Sequence, residues 1–356
     1  TRRLMALTAV EQTLLELLEI DSPTGGEAPL AEVVEGWCVD AGWRVRRHGL
    51  CLVVDRPELG PPRIGFFGHL DVVTDREMAP IATHPQWIHG PGASDMKSGL
   101  AVMMELIRNL PPSGVRAEPV FVFYDAEEGP IAENGLAPAL DHFSELRELE
   151  LGVCMEPTAN ALQLGCVGSL HVRLTVSGQA GHSARPWEGV NAITKAGALL
   201  TDLGTLKPRS SLCEGLEFFD TFTVTLAQGG HSRNSVPASL SMNLNLRFVP
   251  GRTAQQAFDE IVAWVGDRAQ VEWVDASASA PVARTTPLLK QLVEIGQLER
   301  EAKQAWTDVA QLAACGIPGV NFGPGDPAWA HQAGERIRRA DLNHSLSVIN
   351  RWLCAH

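Results

Sequence analysis

The sequence predicts an α/β protein with a largely parallel or mixed sheet, interrupted by a smaller α+β module. Three observations lead there. Up to about residue 167, short apolar runs of strand length alternate with helical periodicities. Over 168–279 the texture changes to strictly alternating strands, as in an antiparallel sheet with one wet face. From 280 to 356 the first texture returns, so the middle module is an insertion into a discontinuous domain of 1–167 and 280–356.

Each element follows from its residues. TAVEQTLLELLEI and APLAEVVEGWCVDAG repeat apolar residues at helical spacing, and the opening TRRLMALTAVEQ reads as the start of an amphipathic helix rather than a signal peptide. LCLVVD and RIGFFGH are short β-rich runs. DMKSGLAVMMELIRNL is a long helix with one apolar side, stopped before Pro111 and Pro112. EPVFVFYD and LELGVCMEP are buried strands. In the module, SLHVRLTVSGQAGHSA, FTVTLAQGG, LSMNLNLRFVP and QVEWVDAS are strands, while NAITKAGALLTDLG and AQQAFDEIVAWVGD are its two helices. TPLLKQLVEIGQ, VAQLAACG, VNFGPG and a helix from Leu342 complete the larger domain.

Composition narrows the function. The 356 residues suffice for two domains. A net charge of −13, from 29 basic and 42 acidic side chains, argues against a nucleic-acid partner. No run approaches the ~18–20 apolar residues of a membrane span, so no membrane partner is expected. The seven cysteines are scattered and form no Cys-x-x-Cys pair, which fits reduced thiols in a cytoplasmic protein.

Five clusters could carry chemistry. His69-x-Asp71 ends a strand, where residues two apart share a face. A neutral imidazole is a common metal ligand whose other nitrogen donates to a carboxylate, although a hydrogen-bonded pair capping a strand has the same sequence. GPGASDMKSG delivers Asp95 to a helix start, where it could also serve as a cap. YDAEEG sets Glu127 and Glu128 after a strand otherwise free of charge. Two like charges there are costly unless solvated or offset by a cation. CMEPT ends a strand on Glu156, and WAHQAGE carries His331 in a loop. Carboxylates and histidines at strand ends lie where α/β sheets form their sites. Two histidines and three carboxylates would hold two adjacent divalent ions, with zinc suited to the N/O donors and cobalt or manganese as substitutes.

The order GHLDVV, GASDMKSG, DAEEG, MEP, GHSA and AH resembles the co-catalytic zinc family of aminoacylases, acetylornithine deacetylases and related carboxypeptidases. FYDAEE with ENGL, GCVGSLHVRLTVSGQAGHSARPW and AWTDVAQLAACGIPGVNFGPGDPAWAHQAGE are similar to its succinyl-diaminopimelate desuccinylase branch of the actinobacterial type. The resemblance implies a zinc-exopeptidase-like catalytic domain with an inserted lid and dimerisation domain, hence a homodimer. It implies that His69 and Glu156 bind one zinc, Glu128 and His331 a second, and that Asp95 bridges them. Asp71 would steady His69, and Glu127 would be the general base for a metal-bridging hydroxide. His182, from the partner's lid, would stabilise the oxyanion. The implied substrate is a small N-acyl amino acid, N-succinyl-LL-2,6-diaminopimelate, an intermediate of lysine biosynthesis. Its carboxylates would meet Arg247 and Arg185, with Arg233 behind; Asn234, Thr307, Asp308, Gly323 and Gly325 also resemble contact positions. Two departures stand out: Gly90-Pro91-Gly92 replaces a family Gly-Arg-Gly, and no arginine accompanies Cys166-Val167-Gly168. His84, His89, His231 and His344 match no ligand position. An acetylornithine deacetylase, another N-acyl-amino-acid hydrolase or a metallo-carboxypeptidase would share the same metal site. A binding protein would have lost ligands, and none is lost.

Overall fold

The computed structural model describes residues 6–61, 63–74 and 79–354. The chain divides into two compact units. One runs to Gly165 and resumes over Ala283–Glu301 and Thr307–His356; the other is Cys166–Val282 with Ala302–Trp306. The expected insertion did not include residues 302–306. They join the second unit through specific bonds: the Gln304 amide accepts from Phe219 N and donates to Phe219 O, at 3.0 and 2.6 Å, and Trp306 Nε1 donates to Ala278 O at 3.0 Å.

The first unit is an α/β domain around an eight-stranded mixed sheet. Its centre is four parallel strands in the order Pro119–Tyr124, Ile64–His69, Leu151–Cys154 and Gly319–Asn321. Each residue of these strands is buried, because helices cover parallel strands on both faces and every position must be apolar or small. Cys51–Asp55 extends the sheet antiparallel on one side and Leu162–Leu164 on the other. The edge strands Arg44–His48 and Arg300–Ala302 escaped the sequence reading, since their charged, half-exposed residues show no apolar run. The helices Ala28–Asp40 and Lys97–Asn109 begin close to where the periodicity placed them, whereas the first helix, Ala9–Leu18, begins only after non-helical residues 6–8, and the part of its expected start over residues 1–5 lies outside the described residues. The last helix starts at Arg339, before the expected Leu342. Arg339 is buried there by an ion pair to Glu11 of the first helix, 2.6 Å away, so a charged residue occupies an inward position that periodicity reads as exposed.

The second unit is an antiparallel sheet in the order Arg209–Cys213, Leu216–Gly229, Ser239–Phe248, Gly168–Ser177 and Gln270–Ser277. Leu170, Val172, Leu174 and Val176 alternate inward and meet Leu240, Met242, Leu244 and Leu246. Helices Gly197–Thr205 and Ala254–Val265 cover that face. SLHVRLTVSGQAGHSA does not continue as one strand. It stops at Ser177 and resumes as the two-residue strand Gly181–His182; between them the Val190 carbonyl passes so close to Gly178 that a Cβ there would stand 2.1 Å from it.

All seven cysteines are free thiols, and Cys38, Cys51, Cys154 and Cys166 are buried. Among the described residues no helix is long and apolar enough to cross a membrane.

Candidate metal centre

The four parallel strands point their carboxyl ends the same way, and each hands its next residues to one site. His69 is the last residue of its strand and is 1% exposed. Its Nδ1 lies 2.9 Å from the Asp71 carbonyl and 3.3 Å from the Asp71 carboxylate. With two acceptors there, a neutral ring would carry its proton on Nδ1, leaving the Nε2 lone pair for a cation in the site. Nε2 faces Asp95 Oδ1 at 3.2 Å.

Asp71 is fully buried and does more than steady His69. Its carboxylate accepts from Thr24 Oγ1 at 2.9 Å and from the amides of Glu127 and Glu128, both at 3.0 Å. It therefore fixes the backbone that carries the paired glutamates. Glu27, 1% exposed, helps by accepting from the amide of Ala126, whose φ of 55° bends the chain toward Glu127. Thr24 and Glu27 were missed in the sequence, because nothing in the turn DSPTGGE marks partners 47 and 99 residues away.

Asp95 stands between the two histidines. Its Oδ2 is 3.5 Å from His331 Nε2, which is 2.7 Å from Glu128 Oε1. Ligand-type atoms of Asp95, Glu128 and His331 all lie within 4.8 Å of one another, and those of His69, Glu127 and Glu128 do the same. The two sets share Glu128, so two neighbouring ions fit. Glu156 follows the strand Leu151–Cys154 and is buried, but it belongs to neither set. Glu127, expected as a base, stands among ligand-type atoms.

Charge supports the same assignment. Burial pushes the Glu127 carboxyl well above its ordinary range, and the negative charges of Glu128, Glu156 and Asp308 add to the rise against the pull of His69. Burial likewise lifts Asp308 to about 6. Burial would lift Asp95 as well, but hydrogen bonds from His331 and His69 hold it well below. His331 is pushed up to about 10 by Asp95 and then Glu128. A knot of carboxylates around two imidazoles asks for positive charge. Its oxygen and nitrogen donors are those zinc accepts. The residues fit a pair of divalent cations.

The expected substrate residues divide between the units. Thr307 is buried beside Asp308, which accepts from Asn134 Nδ2 at 3.1 Å. Gly323 is required to be glycine: a Cβ would stand 2.4 Å from Glu156 O and 2.5 Å from Met155 O. Its N–H and C=O are both engaged by Thr158 Oγ1, at 3.1 and 3.1 Å, so the close approach serves the chain's own backbone. At Gly325 a Cβ would likewise be 2.1 Å from Ser94 O. In the second unit, His182, Arg185 and Asn234 share one corner: Ser183 N donates to Asn234 O at 3.0 Å and Arg185 N to His182 O at 2.8 Å. His182 is exposed and accepts at Nδ1 from Ala184 N at 3.0 Å. Arg247 is not at that corner. It pairs with Ser169, at the opposite end of the strand Gly168–Ser177, and its Nε donates to Asn245 Oδ1 at 3.2 Å. Of the unassigned histidines, His84 and His89 pack against each other with ring centres 5.0 Å apart.

Comparison with known proteins agrees with this architecture. The profile of the "Peptidase dimerisation domain" matches residues 164–272, and that of "Peptidase family M28" matches 54–172. A protein of Mycobacterium tuberculosis provisionally named succinyl-diaminopimelate desuccinylase DapE is 35% identical over 95% of this chain and 96% of its own. The succinyl-diaminopimelate desuccinylase of Corynebacterium glutamicum is 29% identical over 95% of this chain and 94% of its own. The structure of an M20 family metallo-carboxypeptidase from Sulfolobus solfataricus superposes with a TM-score of 0.76, covering 98% of this chain and 99% of that one. At 15% identity that last likeness speaks for the fold alone.

Proposed function

Because the chain belongs to the M20 peptidase family, among the relatives of succinyl-diaminopimelate desuccinylase, and is a metal-dependent hydrolase, we propose that it removes succinate from N-succinyl-LL-2,6-diaminopimelate in lysine and diaminopimelate biosynthesis, in the cytoplasm. The observation that supports the reading is Asp95 between the two histidines, one oxygen 3.2 Å from His69 Nε2 and the other 3.5 Å from His331 Nε2, with Glu128 beside His331. In this reading His69 and Glu156 hold one zinc, Glu128 and His331 the other, and Asp95 both. Cobalt or manganese would substitute. When bound, such ions polarise an amide carbonyl and lower the pKa of water.

The chain's own residues supply the rest. Glu127 takes a proton from the attacking water and returns it to the departing amine nitrogen. His182, with Nδ1 occupied by the Ala184 amide, carries its neutral-state proton on Nε2. From a partner subunit joined through the inserted unit, that N–H would donate to the carbonyl oxygen as negative charge develops. The forks of Arg247 and Arg185 suit the substrate carboxylates. Asn234 and the Thr307 hydroxyl supply further polar contacts, and Gly323 keeps the loop beside Glu156 close.

The test is hydrolysis with zinc restored, comparing N-succinyl-LL-diaminopimelate, N-acetylornithine and a dipeptide ending in glutamate. Selective turnover of the succinyl compound is expected. Faster turnover of another substrate would keep the site and overturn the substrate.

A further inference from the structure

The segment WAHQAGE closes on a glutamate that is only 3% exposed. Glu335 directs its carboxylate at the loop that presents Asp95. Oε2 accepts from Gly92 N at 2.9 Å, and Oε1 accepts from both Ser94 N and Asp95 N at 2.8 Å. Its carbonyl accepts from Gly90 N at 3.1 Å. Four hydrogen bonds therefore tie residues 90–95 to one position about 240 residues away. Converging amides of this kind make a concavity that an anion fills. Here the anion is the chain's own.

The geometry of the two ends gives the contact its meaning. The loop held by Glu335 carries Asp95, and Glu335 lies four residues after His331. The Asp95 and His331 side chains meet at 3.5 Å. Ser94 adds a second tie, its Oγ donating to Asp326 O at 2.8 Å. Beneath the loop, the buried Lys97 ammonium is anchored separately on Ile20 O at 2.6 Å. The loop lacks the arginine that the family resemblance led one to expect, and has Gly90-Pro91-Gly92 instead. In place of that arginine, the loop is braced by the carboxylate of Glu335, beside the single tie from Ser94 Oγ.

Resting on the reading that Asp95 lies between two ions, we infer that Glu335 is a positioning residue. By fixing the amides of Gly92, Ser94 and Asp95 to the segment that bears His331, it sets where the Asp95 carboxylate stands relative to His331. A residue that merely filled polar space would affect the stability of the fold but not the ligand geometry.

The experiment uses the full chain, stripped of metal and titrated with cobalt(II) by calorimetry and visible absorption. Glu335→Ala, Glu335→Gln and a buried control, Leu292→Ala, are compared. Glu335→Ala should weaken cobalt binding at one or both sites by about 10–100-fold, the range for partners that orient ligands. It should also change the visible band. Glu335→Gln keeps an oxygen for Ser94 and Asp95 but turns an NH2 toward the Gly92 amide, so its loss should be intermediate; it also decides the matter if the alanine variant fails to fold. Leu292→Ala should melt earlier, with cobalt affinity and spectrum unchanged. A wild-type isotherm and spectrum for the glutamate variants would overturn the inference, as would an equal loss in Leu292→Ala. A wild-type chain that binds no cobalt would overturn the metal reading itself, and this inference with it.

Discussion

At the scale of the residue, Asp71 shows how one buried carboxylate can organise side chains that follow two different strands. It faces Nδ1 of His69 and also accepts the amides of Glu127 and Glu128. The orientation of the imidazole and the path of the paired glutamates are thus set by the same two oxygens. The division of labour between Glu127 and Glu156 is the sharpest question at this scale. If Glu127 is the base, Glu127→Ala should lower kcat by on the order of 10²–10⁴-fold while metal analysis still finds two ions per chain. Glu156→Ala should instead lose one ion. A Glu127→Ala protein that loses an ion, beside a Glu156→Ala protein that keeps both, would exchange the two roles.

At the scale of the element, the outermost helices are joined by charge rather than by apolar packing alone. Glu11, on the helix Ala9–Leu18, accepts from Arg339 Nε at 3.0 Å and Nη2 at 2.6 Å, and from Asn343 Nδ2 at 2.9 Å, both residues on the last helix. Burial by itself would raise the Glu11 carboxyl. The bonds from Arg339, the Thr8 amide and Asn343 outweigh it and hold the group below its ordinary range. A carboxylate lowered in the folded state contributes stability above its unfolded pKa, and that contribution fades as the pH falls through the folded value. Glu11→Gln should therefore cost on the order of 1.5–3 kcal/mol at pH 7, the range for hydrogen bonds to charged groups. Urea unfolding at pH 7 and pH 3 would show the gap between variant and wild type narrowing toward acid. A gap that stayed constant would mean that the ion pair adds no pH-dependent stability.

At the scale of the whole molecule, the thiols report on the integrity of the fold. Burial pushes Cys38 and Cys51 up to about 12. Cys154 and Cys166 are buried too, while Cys213, Cys315 and Cys354 are partly open. Labelling with a thiol reagent at pH 8 should modify at most those three in the native protein and all seven in denaturant. Rapid native labelling of Cys38 or Cys51 would show that the first unit opens locally. Strands such as Ile64–His69 and helices such as Lys97–Asn109 were legible in the sequence because burial on both faces, or on one stripe, leaves an apolar period in the chain. The order of His69, the Glu127–Glu128 pair and Glu156 after buried strands, with Asp95 before a helix and His331 in a loop, was legible too, since charge at the end of an apolar run is visible locally. Pairings between distant positions left no such mark. That Glu27 braces Ala126, that Asp71 serves both a histidine and two amides, and that Glu335 holds the Asp95 loop depends on which strand ends the sheet order brings side by side. A buried carboxylate finds its donors in three dimensions, so local sequence determined the elements and the candidate metal-binding side chains, and tertiary structure alone decided which groups hold them in place.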